Sequence, residues 1–366
     1  MTERSGGATL ARTVLLLPLG LARGDHQRAG ALPLVGGPMA FTHCEVTVRQ
    51  GKAEIARAIL PTDELLAWAT LQCPLEKDTI AALLRNLTQP RAAFADLDLG
   101  RPKIMGIINV TPDSFSDGGD RYDGGVAIEA GLAMLEAGAD ILDIGGESTR
   151  PGAAPVSVEE ELRRVLPVVR GLAERGAAVS IDTRRAMVMR EAAAAGASII
   201  NDVTALSYDP DSLSVAAELA LPVILMHIQG KPETMQKDPR YDDVTAEVFD
   251  YLCQRVAACE AAGISKDKIA VDPGIGFGKT VGHNLTLLDR LAAFHGTGCA
   301  VLLGASRKRF IGGLSRDEAP KDRLAGSLAC ALAGVERAVQ MVRVHDVAQT
   351  RQALTLQQAI ASAPSS

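Results

Sequence analysis

From residue 103 onward, short apolar or β-branched runs alternate with Ala-rich stretches of helical length, and loops rich in Gly, Asp, Ser or Thr join them. The strand-like runs are 103–109, 140–145, 178–182, 198–203, 222–227, 268–272, 299–304 and 339–345, eight in all. Helical candidates lie between them at 124–137, 157–175, 184–195, 243–262, 281–294 and 321–337, with one more after His345. Strands that alternate with helices imply a parallel sheet. Eight repeats ending on a helix predict an α/β fold of the (β/α)8 TIM-barrel type rather than an open sheet.

Residues 1–95 do not continue the repeat. Ala-Gly-Pro stretches and one longer helical pattern, 63–71, predict a small N-terminal α+β module there. The expected domains are therefore 1–95 and 96–366, with residues 91–102 as the linker. The apolar run 14–22 superficially suits a secretory leader. It contains Pro18 and Gly20, is too short to span a bilayer, and leads into Arg23 and Asp25, so it reads as a strand of the module.

Composition narrows the function classes. The chain has 366 residues, more than the roughly 250 of one barrel, and its formal charge of −6 gives no broad basic field for nucleic acid. An anionic substrate then needs a local cluster of cations. The six cysteines show no CxxC pair and no ligand spacing with histidine, which points to reduced thiols in the cytoplasm rather than a disulfide framework or metal cluster. Neither a membrane nor nucleic acid is an expected partner.

Barrel active sites gather at the C-terminal ends of the strands, and the unusual polar residues fall there. Asn109, Glu147 to Arg150, Asp182, Asn201, His227, Asp272, Ser306 with Lys308, and Arg343 with His345 end a strand run or follow it closely. A single Asp or Asn in such a place is explained equally well as a helix cap or turn residue. Polar groups at all eight strand ends are poorly explained that way.

Three kinds of group stand out. The loop Asn109-Val-Thr-Pro-Asp-Ser-Phe-Ser-Asp-Gly-Gly119 offers oxygen ligands at Asn109, Thr111 and Asp113 of the kind Mg²⁺ takes beside phosphate, and carries Phe115 as a lid aromatic. Arg150 on a glycine-rich turn, the Ser306-Arg-Lys-Arg309 segment, and Arg343 with His345 on one face of the last strand suit pyrophosphate. Asp182, Asn201 and Asp272 bear acceptors that are costly to bury unpaired, so they imply a ligand rich in N–H donors. The 2-amino-4-oxo edge of a pterin meets that need, with Lys308 serving its carbonyl and ring nitrogen.

Over residues 103–362 the chain resembles the dihydropteroate synthase family, through IINVTPDSFSDGG, DILDIGGESTRPGA, SIDT, IINDV, VILMHIQGKPETMQ, VDPGIGFGKT, LLGASRKRFIGGL, RLAGSLA and RVHDV in the family's order. The resemblance implies condensation of 6-hydroxymethyl-7,8-dihydropterin pyrophosphate with p-aminobenzoate. It implies that Asp182, Asn201, Asp272 and Lys308 hold the pterin, with Met226 packed on it and Arg343 over it. Asn109, Arg343 and His345 take the pyrophosphate with Mg²⁺, and Asn109 is the protein's ligand to the metal. Thr149, Arg150, Pro151, Phe115 and Phe277 form the p-aminobenzoate pocket, with Ser306 and the helix start after it helping to receive that substrate's carboxylate. Arg309 departs from relatives that carry serine there. A homodimer is also implied, and the N-terminal module is assigned nothing.

Asp113 has two readings, ordering pyrophosphate with its metal or stabilising a cationic pterin. Two other functions compete with the synthase. A methyltransfer module also places a folate on a barrel rim, but has less use for Phe115 and Arg150 in closing loops. A non-catalytic pterin-binding regulator has no use for the anion-binding groups.

Overall fold

The computed structural model describes residues 12–24, 30–111, 124–148, 156–230 and 234–363. It divides into two compact units, Met1–Gln89 and Pro90–Ser366.

The first unit is a small α+β assembly. Its strands are β1 (Arg12–Leu19), β2 (Ala22–Arg23), β3 (Leu32–Pro33), β4 (Met39–Phe41), β5 (His43–Gln50) and β6 (Ala53–Pro61). They form two antiparallel sheets in the orders β1-β5-β6 and β2-β4-β3. The apolar run near the start is thus a strand, paired with β5 from Arg12↔Gln50 to Leu19↔His43. The expected helix at 63–71 forms as Leu65–Gln72, and a second, Lys77–Thr88, follows it. Ile80, Leu83 and Leu87 line the buried stripe of that second helix, at the three- and four-residue spacing of one helical face.

The second unit is a closed barrel. Its strands are β7 (Lys103–Asn109), β8 (Ile141–Gly145), β9 (Val179–Asp182), β10 (Ile199–Asp202), β11 (Val223–Met226), β12 (Ile269–Asp272), β13 (Ala300–Leu303) and β14 (Met341–Val344). Each pairs in parallel with its neighbours in chain order, and β14 closes onto β7. Both faces of β7 are buried, as expected where helices cover one side of a strand and the barrel interior the other. Local chemistry sets the helices between strands. Ser157 caps Val158–Ala173 by accepting the Glu160 N–H at 3.2 Å, and Asp243 caps Val244–Ala261 by accepting that of Ala246 at 3.0 Å. Thr280 and His283 form a reciprocal capping box at the start of Val281–Asp289.

The floor of the barrel is packed solid. Met105, Ile141, Ile199, Ile224, Ala270, Ala300, Leu302 and Met341 form one buried cluster, and Phe94 completes it. Residues 91–102, expected as a linker, are therefore structural at their N-terminal end. Arg91 donates to the carbonyls of Cys299 at 3.0 Å and His295 at 2.8 Å, while Ala95, Leu97 and Leu99 pack beside Phe94.

Candidate active site

Side chains alternate between the two faces of a strand, so the residues two positions beyond the floor layer also face the axis. Ile141 leads to Asp143, Ile199 to Asn201, Ile224 to Met226, Ala270 to Asp272 and Met341 to Arg343. Asn201, Asp272 and Arg343, expected from the sequence, thus stand with Asp143 and Met226 in a ring directly above an apolar base.

The ring is tied together by Arg343. Its Nε donates to Asp143 Oδ2 at 2.6 Å and its Nη2 to Asp182 Oδ2 at 2.7 Å, joining the eighth barrel strand to the second and third. Asn201 adds a third link, its Nδ2 donating to the same Asp143 Oδ2 at 3.1 Å. Burial opposes the charge on Arg343, yet Asp143 and Asp182 outweigh it and raise the pKa of the guanidinium. Burial pushes Asp182 up to about 7, against the pull of Arg343 and with Asp143 adding to the rise.

Asp272, on β12, is raised by burial, while the Gly274 N–H at 2.7 Å and Lys308 favour its ionised form. The loop after it turns back on β11. Gly274 holds φ +70°, and a Cβ there would lie 1.9 Å from the His227 carbonyl oxygen, so only glycine fits. This turn brings Phe277 under Lys308, whose Nζ sits 3.9 Å from the ring centroid. Lys279 pins the same loop, donating to the Phe277 carbonyl at 3.0 Å and lying 3.0 Å from His227 Nδ1. Burial, reinforced by Lys279, pushes His227 down to about 2.

Ser306 and His345 meet at the ends of β13 and β14, with Ser306 Oγ 3.0 Å from His345 Nδ1 and accepting the His345 N–H at 3.2 Å. Burial, then Arg343 and Arg307, push His345 down to about 3, which works against a second positive charge beside Arg343. Arg307 is engaged with Asp346, Nε to Oδ2 at 3.0 Å, and Arg309 is exposed. Of the three cations in this segment, Lys308 is the one that faces the Asp272 side of the ring. The helix beyond begins at Arg309 and has five residues.

Asn109 ends β7 half-buried, in register with Gly145 of β8. Among the described residues, no group of three or more His, Cys, Asp or Glu side chains is placed to hold a metal. Asp113, Phe115, Thr149, Arg150 and Pro151 lie outside the described residues. Both flanks of 149–155 are nevertheless anchored. Glu147 accepts from Arg184 at 2.9 Å and Arg185 at 3.1 Å, and Arg185 also donates to Glu161 and to the Val156 carbonyl, each at 2.6 Å.

Asp143, Lys279 and Arg185 are functional candidates absent from the sequence reading. Asp143 carried a usable signal, because an ionisable residue inside the apolar run Ile-Leu-Asp-Ile-Gly is expensive wherever the strand is buried.

A closed barrel with polar side chains gathered on one rim above an apolar base is the plan of the (β/α)8 enzymes. Residues 105–345 match the family model described as pterin binding enzyme. The chain is 53% identical over 273 residues to the dihydropteroate synthase of Escherichia coli K12, covering 74% of this chain and 96% of that one. It is 50% identical to the Xanthomonas albilineans dihydropteroate synthase solved with 4-aminobenzoic acid, with TM-score 0.69 and coverage of 73% and 96%. The same enzyme solved with 7,8-dihydropteroate aligns at 48% identity and TM-score 0.67, covering 73% of this chain and 97% of that one. The chain belongs to the pterin-binding enzymes and, within them, to the dihydropteroate synthases, which are transferases of folate biosynthesis.

Proposed function

We propose that this protein joins 6-hydroxymethyl-7,8-dihydropterin pyrophosphate to p-aminobenzoate, giving 7,8-dihydropteroate and pyrophosphate, on the ring of side chains above the barrel floor. The observation that carries the reading is the convergence of Asp182, Asn201, Asp272 and Lys308 beside Arg343 at one end of the barrel. Carboxylate and amide oxygens receive the N–H donors of the pterin, Met226 packs against it from β11, and Arg343 covers it from β14.

In the reaction the bond between the C6 methylene and the pyrophosphate oxygen breaks with its electron pair leaving on pyrophosphate. The amine nitrogen then bonds to the methylene carbon and loses a proton. An aromatic amine is a modest nucleophile, so catalysis rests mainly on stabilising the leaving group. Arg343 supplies positive charge, and the His345 ring beside it can donate an N–H to a phosphate oxygen. Ser306, hydrogen-bonded to His345, orients that imidazole and lies on the side where the p-aminobenzoate carboxylate is received.

Mg²⁺ suits this site because it takes few protein oxygens when phosphate and water complete its shell, and the Asn109 amide at the end of β7 is such an oxygen. When bound, the ion would offset charge on the departing pyrophosphate. Phe277 borders the p-aminobenzoate pocket, with Phe115, Thr149, Arg150 and Pro151 completing it and Asp113 acting from the first loop. The protein is further proposed to be a cytoplasmic homodimer. Among the described residues no helix is long and apolar enough to cross a membrane. The N-terminal unit and the barrel are proposed to be separate domains.

The test mixes purified protein, Mg²⁺ and the dihydropterin pyrophosphate and follows pyrophosphate release with and without p-aminobenzoate. Release that requires p-aminobenzoate and yields dihydropteroate is expected. Pterin binding without release would favour the methyltransfer or regulatory reading.

A further inference from the structure

We propose that Asp143 is the positioning residue that fixes the polarity of the pterin site, by locking the Asn201 amide in one orientation and holding Arg343 over the ring. The inference rests on the reading of this rim as a pterin site. Asp143 is fully buried in the middle of β8, below the rim, and its acceptor Oδ2 receives both Asn201 Nδ2 at 3.1 Å and Arg343 Nε at 2.6 Å. An ionised carboxylate accepts and never donates. A flipped Asn201 would set its carbonyl oxygen against Asp143 Oδ2, so the amide must present Oδ1 and its second N–H towards the ligand. The same oxygen sets where the Arg343 guanidinium lies.

A second observation says that this carboxylate is kept for the site and not for the fold. Asp143 Oδ1 is buried with no hydrogen-bond partner among the described residues, and so is Ser180 Oγ, its neighbour across the β8–β9 ladder. A carboxylate satisfied at only one oxygen in such a place is a poor device for stability. Asp143 also raises the proton affinity of Asp182. Its removal therefore leaves a signature in the pH dependence of ligand binding that a packing defect would not produce.

Asp143→Asn and Asp143→Glu separate charge from shape. Asparagine matches the volume but adds a donor; glutamate keeps the acceptor but overfills a buried position. Binding of 6-hydroxymethylpterin is measured by calorimetry across pH 5.5–8.5 for wild type and both variants, with thermal unfolding as a folding check and the KM for p-aminobenzoate from turnover. In Asp143→Asn we expect pterin affinity to fall at least tenfold, a KM for p-aminobenzoate within twofold of wild type, and an acid limb of binding displaced to lower pH. Asp143→Glu should bind pterin more tightly than Asp143→Asn. Tighter binding by Asp143→Asn than by Asp143→Glu, an unmoved acid limb, or failure of both variants to fold would overturn the role of Asp143 and make it a packing residue. Wild-type protein that binds no pterin at any pH would instead overturn the functional reading.

Discussion

Lys308 Nζ lies 3.9 Å from the centroid of the Phe277 ring, so a cation from the loop after β13 rests on an aromatic from the loop after β12. The contact couples two roles, because Lys308 is proposed to hold the pterin and Phe277 to border the p-aminobenzoate pocket. Cation–π contacts contribute about 0.5–2 kcal/mol. Lys308→Ala should raise the KM for the pterin substrate and lower kcat/KM by about a hundredfold or more, the sum of a lost charge-assisted hydrogen bond and this contact. Phe277→Leu should chiefly raise the KM for p-aminobenzoate and change the pterin KM by less than about thirtyfold, the ceiling set by the contact alone. Steady-state kinetics with each substrate varied in turn checks both, and normal kinetics in Lys308→Ala would remove it from the site.

Pterin binding should depend on pH through Asp182. Burial raises this carboxyl to about 7, with Arg343 from β14 opposing and Asp143, Asp202 and Glu161 adding to the rise. Its charged form is the better acceptor for ligand N–H groups, so affinity should increase from pH 5.5 to pH 8 and level off above about 7. The stability effect has the opposite sign. A carboxyl raised in the folded state above its unfolded value near 3.9 binds more protons when folded, so its contribution to stability falls as pH rises from about 4 to about 7. Calorimetric titration of pterin and thermal unfolding over the same range test the two trends.

Gly274 and Gly263 both have positive φ, +70° and +95°, but only at Gly274 would an added Cβ strike backbone, 1.9 Å from the His227 oxygen. Gly263→Ala therefore carries the conformational cost alone, about 1 kcal/mol. Gly274→Ala must also displace the end of β11 or the loop behind Phe277, and should cost about 3 kcal/mol or more. Thermal denaturation of the two variants side by side measures the difference, and equal melting temperatures would contradict it.

Arg185 is buried between Glu147 and Glu161, at 3.1 Å and 2.6 Å, and removing it leaves buried Glu161 with no cation and only the Thr183 hydroxyl at 2.6 Å, while Glu147 keeps Arg184. Arg185→Ala should destabilise the protein by roughly 3–5 kcal/mol. Arg190→Ala, which breaks a solvent-exposed pair with Glu218, should leave the unfolding midpoint in urea unchanged within error. A small effect at Arg185 would mean that water replaces it in the network.

The barrel was legible because its strands are short apolar runs between turn residues. The run 103–109 forms β7 as Lys103–Asn109, and the run 222–227 forms β11 as Val223–Met226, trimmed at both ends. The helix Ser212–Leu219 is hard to read in the sequence because its eight residues carry no strong apolar stripe, whereas Lys77–Thr88 carries one at Ile80, Leu83 and Leu87. Residues 91–102 read as a linker by local composition, since the burial of Phe94 depends on strands far away in sequence. The same distinction governs the site. Asp182, Asn201 and Asp272 stand out as polar strand ends, whereas Asp143 sits two residues before the end of its strand and acquires meaning only through Arg343, 200 residues further along the chain. The lowered proton affinity of His345 is equally invisible in the sequence, because it comes from burial and from cations that folding brings near.

The Phe94 layer makes the barrel a cup and not a tube. With the floor filled from Met105 around to Met341, the described residues close the base of the axis, and a molecule that reaches the polar ring comes and goes by the opposite mouth. Traffic through a single opening obeys a stacking order: the reactant seated deepest enters first, and one that settles near the lip too early bars its own partner. An excess of p-aminobenzoate would then slow the enzyme that consumes it, a throttle created by nothing more than a stoppered base.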